Sequence, residues 1–252
     1  MGKNISVWLI VPQTNLHVGN ESVVSFEVID KAIQRDVTTG LPCINSSSLK
    51  GAIKEFLTAE IIQEVKNEAI RDSAKAFGAE EKQEKKLNDV VKPLFGSVKS
   101  DKTGDTQKGS AVFFDANLLF IPQQCVNGKE VYQLAYSDDI IEAFLQRVIA
   151  LGAECTKKKI KEMCAKVAET SISEKEFKQL CDDDSLPIIA RNCLENGESV
   201  NLWYEQVLPS MSVLGTIIQT QNEGDLECLN GKIVQIGANA TIGYGYCKFI
   251  KL

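Results

Sequence analysis

Two β-rich apolar runs stand at opposite ends of the chain. NISVWLIV, residues 4–11, is dense in large and β-branched apolar residues. KIVQIGANATIGYGYCKFIKL, residues 232–252, reads as a strand, a glycine-studded loop and a last strand. Between them apolar residues recur at helical spacing in LKGAIKEFLTAEIIQEVKNEAI (49–70), at Leu49, Ile53, Phe56, Leu57 and Ile61, and SDDIIEAFLQRVIALG (137–152) is amphipathic, with Ser137 or Asp138 as its cap and Gly152 as its stop. Strands are predicted over 22–29, over 111–122 with Pro122 closing the run, and over SVLGTIIQTQ. LPIIARNCLENGESVNLWYEQVLP (186–209) predicts two strands about a tight turn at Asn196-Gly197. Residues 155–184 read as polar helix, 71–92 as an exposed charged helix and 99–110 as a loop. A chain that opens and closes in strands with helices between is α+β, and it suits a ferredoxin-like or RRM-like sheet carrying inserted helices and a protruding hairpin.

Composition narrows the function. The 252 residues allow one large domain with a sizeable core. The formal net charge of −6 argues against unspecific phosphate binding unless basic residues gather on one face. Eight cysteines include no C-x-x-C pair, and His17 is the only histidine, so a structural zinc site is not expected. No signal peptide or membrane-length apolar run is present, which predicts reduced, buried cysteines in a cytoplasmic protein without membrane contact.

Four stretches can carry chemistry. VIDKAIQRD (28–36) places Asp30 where an apolar run gives way to Lys31, Gln34 and Arg35. SSSLKG (46–51) opens a helix with hydroxyls, free N–H groups and Lys50, which makes either a phosphate seat or an ordinary cap. His17, in a Gly- and Asn-bearing loop between β runs, is expected to be exposed, and an acid or base role is open to it. In GANATIGYGY (237–246) the glycines permit close ligand approach or simply a bulge or tight turn.

Taken in order, TNLHVGNES, VIDKAIQRDVTTGLPCINSSSLKGAIKEF, KPLFGS, SAVFFDANLLFIP, LPIIARNCLENGESVNLWYEQVLP and QIGANATIGYGY resemble the RAMP superfamily of CRISPR proteins. The nearest likeness is to the repeated backbone subunit of the type III-B Cmr effector complex, from about residue 4 to the C-terminus and weakest over 58–92 and 153–184. The resemblance implies a single RRM-like domain over 1–252, with insertions at about 58–110, 153–184 and 185–208, the last a thumb-like hairpin. It implies copies stacked in a helical filament along a CRISPR guide RNA, beside other Cmr subunits. It implies further that complementary single-stranded target RNA is cut at regular intervals with a divalent metal, Mg2+ or Mn2+. Asp30 is then the cleaving and metal-holding residue, and His17 a second catalytic candidate. Lys31, Gln34, Arg35, Ser47, Ser48, Lys50, Gly51, Lys54, Arg191, Trp203, Asn239, Thr241, Gly243 and Gly245 are the implied RNA contacts. A basic groove of Lys31, Arg35, Lys50 and Lys54 requires that Asp182, Asp183 and Asp184 face elsewhere.

The chain departs from that pattern at Asn15 (usually proline), at Asn45 and Ser46 (usually Pro-Gly), at Ala238 (usually glycine) and at Ala240, where an acid is common. The last leaves Asp30 without a second carboxylate unless Asp36 serves. A non-cleaving guide-binding scaffold is therefore the alternative function. A guide-processing ribonuclease with His17 as base is a third.

Overall fold

The computed structural model describes residues 4–19, 29–71, 78–97, 107–125, 130–164 and 167–252. In chain order the strands are β1 (Asn4–Pro12), β2 (Cys43–Ile44), β3 (Val112–Phe113), β4 (Ala116–Gln124), β5 (Tyr132–Tyr136), β6 (Glu169–Ser171), β7 (Ile188–Glu195), β8 (Glu198–Gln206), β9 (Val213–Thr220), β10 (Ile233–Gln235) and β11 (Tyr246–Lys251). The helices are α1 (Ser46–Arg71), α2 (Ala79–Lys86), α3 (Lys92–Phe95), α4 (Asp138–Ala150), α5 (Lys157–Cys164) and α6 (Glu174–Leu180).

One sheet runs β10–β11–β1–β9–β4–β5–β6, with β2 on β4 and β3 on β9, while β7 and β8 form a separate two-stranded ribbon. Pairing is antiparallel throughout except between β5 and β6. The apolar run of β1 is continuous because both sheet faces are covered. Trp8 and Ile10 point into one core with Leu49, Ile53 and Leu57 of α1. Val7 and Leu9 point into the other with Ile141, Phe144, Leu145 and Val148 of α4. Fully burying such a side chain contributes roughly 1.5–3 kcal/mol, so β1 anchors both layers.

Most expected elements stand where the sequence puts them, and several are corrected. Pro122 does not close its strand: β4 runs on to Gln124. Pairing with β9 ends at Phe120, so Pro122 has only β5 beside it, and a missing N–H is tolerated at such an edge. Residues 155–184 are not wholly helical, because β6 lies between α5 and α6 and pairs with β5. α1 runs unbroken past residue 58 to Arg71. Among the seven described cysteines Cys43, Cys181 and Cys247 are buried, but Cys193 and Cys228 are exposed. The strand predicted over 22–29 lies, apart from Ile29, outside the described residues, as do residues 99–106 of the predicted loop.

Candidate functional site

The β7–β8 hairpin turns at Asn196 and Gly197, with φ of 51° and 89°. Those left-handed values are what a two-residue hairpin turn demands, and Asn-Gly meets them at low cost. The ribbon is exposed over most of its length and becomes buried at Glu205 and Gln206. The Asp30 loop docks there. Asp30 N and Lys31 N both donate to the Tyr204 carbonyl at 3.1 Å, and Gln206 N donates to the Lys31 carbonyl at 2.9 Å. Asp30 itself is exposed, and its Oδ2 accepts from Tyr204 N at 2.7 Å.

Two buried residues of β8, neither singled out by the sequence, hold this junction together. Glu205 is 1% exposed. Its Oε1 accepts from Trp203 Nε1 (2.8 Å) and Lys31 Nζ (3.1 Å), and its Oε2 from Asn239 Nδ2 (2.8 Å) and Arg191 Nε (3.2 Å). Burial would raise its pKa, but hydrogen bonds from Trp203, Lys31 and Asn239, with the Lys31 charge, outweigh that and hold it at about 2. Lys31 also lies over the Trp203 ring, and Arg191 over that of Tyr244. Gln206 accepts from Ile33 N through its side chain and donates to Asp183 Oδ1 at 2.9 Å. The only signal for either was a polar pair, Glu-Gln, set directly before the apolar Val207-Leu208, where strand register turns inward.

His17 is buried, contrary to the exposure expected from its loop. Its Nδ1 lies 2.7 Å from the Gln206 carbonyl, an oxygen that only accepts, so Nδ1 carries the hydrogen. The loop is pinned from two sides: Leu16 exchanges backbone hydrogen bonds with Leu208, and Ala238 N donates to the His17 carbonyl. His17 and Asp30 therefore both attach to β8, at Gln206 and Tyr204, about 7 Å apart along the strand.

Beside this junction lies an open polar cleft of about 630 Å³. Val18, Gly19 and Gln34 form one wall, Ser47, Ser48, Ala52 and Glu55 of α1 the floor, and Gln235 with Gly237 the far side. Gln34 fixes the corner: its Oε1 accepts from Asn45 N at 2.8 Å and its Nε2 donates to Ser48 Oγ at 3.3 Å. At the mouth of α1 the Asp115 carboxylate already accepts from Ser46 N.

The other candidate residues divide into those held by the fold and those left facing outward. Arg35 donates to Asp183 Oδ1 (2.7 Å) and to the Gly40 carbonyl (2.9 Å), so the condition that Asp182–Asp184 face elsewhere fails at Asp183. Lys50 and Lys54 on α1 have no carboxylate partner among the described residues. Gly51, Thr241 and Gly243 are exposed, whereas Gly245 is a packing glycine: at φ 78°, a Cβ there would collide with the Ile236 carbonyl. Asp36 closes its own turn by accepting from Thr38 N, Thr39 N and Thr39 Oγ1. Burial opposes its charge, but those bonds outweigh it and lower its pKa. Among the described residues no group of three or more His, Cys, Asp or Glu side chains is placed to hold a metal. Asp30 fits only the arrangement in which one carboxylate shares a cation with substrate phosphates, a common mode for Mg2+.

The RAMP superfamily profile matches residues 10–248. This chain belongs to the RAMP superfamily. Within it, the chain is 25% identical to the CRISPR system Cmr endoribonuclease Cmr4 of Pyrococcus furiosus, over 88% of this chain and 87% of that protein. The fold is that of the type III-B Cmr-beta apo structure (TM-score 0.71, 19% identity, 98% and 97% of the two chains covered). It is likewise that of oligomeric Cmr4 from Pyrococcus furiosus (TM-score 0.63, 19% identity, 98% of each chain). The RAMP chain's likeness thus extends well beyond the motifs, and no helix among the described residues is long and apolar enough to cross a membrane.

Proposed function

We propose that this RAMP protein is a backbone subunit of a type III-B CRISPR ribonucleoprotein that binds guide RNA and cleaves complementary target RNA at regular intervals. The observation that carries the reading is the fastening of the exposed Asp30 to the base of the hairpin, beside a polar cleft assembled from four separate segments. The strand order β11–β1–β9–β4, with α1 between β1 and β4 in sequence, supports reading the sheet as RRM-like. The domain is then one unit spanning 1–252 with insertions, and β7–β8 is its thumb.

Each residue takes a part. Ser47, Ser48, Lys50 and Gly51 meet the guide backbone at the positive end of α1, and Lys54 adds its own charge further along the helix. Thr241 and Gly243 border the strand, and Gln34 shapes the cleft. Arg191, Trp203, Asn239 and Lys31 keep the hairpin base in place through Glu205. RNA supplies its own nucleophile, the 2′-OH, so a splayed target nucleotide needs a proton acceptor more than further machinery. Asp30 is that acceptor. A divalent metal, Mg2+ or Mn2+, shared by Asp30 and RNA phosphates would offset phosphate charge. His17, with Nδ1 committed to Gln206, acts as a positioning residue that holds its loop against β8.

The test is cleavage of guide-complementary RNA by assembled complexes carrying Asp30→Ala. Loss of the cleavage ladder with target binding retained is expected, and a surviving ladder would sink the assignment. The non-cleaving scaffold reading draws on Ala240, which stands where the family commonly has an acid, and on the lack of any metal-holding group of three or more acidic, His or Cys side chains among the described residues. It predicts intact target after long incubation with the wild-type complex.

A further inference from the structure

Glu55 has no evident part in folding. It is exposed on the cleft floor and makes no hydrogen bond or ion pair among the described residues. Its helical neighbours at three and four residues, Gly51, Ala52, Thr58 and Ala59, carry no charge. Among the described residues it is also the only acid lining the cleft, whose other polar side chains are amides and hydroxyls. A carboxylate in a nucleic-acid cleft repels phosphate, so whatever lies against it must present hydrogen-bond donors. It stands two helical turns, about 10 Å, beyond Ser48, clear of the phosphate-attracting end of α1.

We propose that Glu55 is a ribose reader: its carboxylate accepts the 2′-OH of a guide nucleotide seated in the cleft. This rests on the guide-binding reading above. The 2′-OH is the donor that every ribonucleotide carries whatever its base, and it separates RNA from DNA. A subunit that repeats along a guide of arbitrary sequence can use such a contact at every position, whereas a base-edge contact would reject most guides. The carboxylate then acts twice, attracting ribose and repelling a misplaced phosphate.

The experiment measures binding of the full chain to labelled oligouridine in ribo, 2′-deoxy and 2′-fluoro forms, and to oligocytidine. The 2′-fluoro form keeps an RNA-like sugar but cannot donate. Wild type is expected to favour the ribo form by about tenfold, the scale of one hydrogen bond to a charged group. In Glu55→Ala that preference falls to within about twofold, and Glu55→Gln, which keeps an acceptor, lies between. Melting temperatures serve as the folding control. A preference absent from wild type, or persisting in Glu55→Ala, overturns the proposal and leaves guide binding standing. A preference that follows the base and not the sugar overturns it in favour of base-edge contact. Failure of every oligonucleotide to bind overturns this inference and the RNA-binding reading together.

Discussion

Asp30 and Glu205 are carboxylates attached to the same stretch of β8, with opposite settings. Asp30 is exposed and tied by one oxygen, while Glu205 is buried beneath four donors. An unfolded glutamate titrates near 4.3, and Glu205 in the fold near 2. Its depressed pKa contributes stability that is present above the unfolded value and is lost as pH falls from about 4 to about 2. The stability gap between wild type and Glu205→Gln should therefore narrow across that window, read from denaturant midpoints. At neutral pH the variant should lose about 2–3 kcal/mol, because Arg191 and Lys31 lose their shared partner. Two glycines give a second contrast. Gly245→Ala should destabilise the fold by at least about 2 kcal/mol, from its positive φ and the Ile236 carbonyl. Gly51→Ala meets open space in a helix and should stabilise it by about 0.5–1 kcal/mol. Weakened RNA binding in that stabilised variant would mark Gly51 as a place of close RNA approach. The sequence sets Gly51 in a helix and Gly245 in a glycine-studded loop but shows neither the Ile236 carbonyl nor the four donors, and Glu205 is one acid among thirty-four Asp and Glu.

At the scale of elements, legibility followed how local each determinant is. The Asn196-Gly197 turn and the amphipathic faces of α1 and α4 are written in adjacent residues, and they stand as read. β6 is three residues, Glu-Thr-Ser, that pair only because β5 offers an edge, so no window of sequence contains the reason for it. The burial of His17 depends likewise on Gln206, 189 residues away. The hairpin is expected to be separable. Shortening it beyond the Asn192–Leu202 pair, with Asn-Gly kept as the turn, should shift the melting temperature by no more than about 2 °C, because the removed side chains are exposed. Calorimetry on that variant measures it. A large drop would show that the tip supports the core.

For the whole molecule, the net charge of −6 is less of an obstacle than its distribution. Lys31 and Arg35 are already held by Glu205 and Asp183, leaving Lys50 and Lys54 as the unpaired cations of the expected groove among the described residues. Two phosphate contacts on a single strand give a salt slope of about −1.4, and four would give about −2.8. The shallower slope is expected, and Asp183→Asn should steepen it by about 0.7 by releasing Arg35. Binding measured over a salt series decides between them.

The docking of the Asp30 loop on β8 also has a mechanical side. Asp30 is bound to Tyr204 through both its backbone and its carboxylate, so loop and ribbon form one stiff arm with its pivot at Glu205 and Gln206. The eight residues of β7 put the tip about 26 Å from that pivot. A load applied at the tip is therefore expected to reach Asp30 through these hydrogen bonds, which a probe placed at Asp30 would register when the tip is bound.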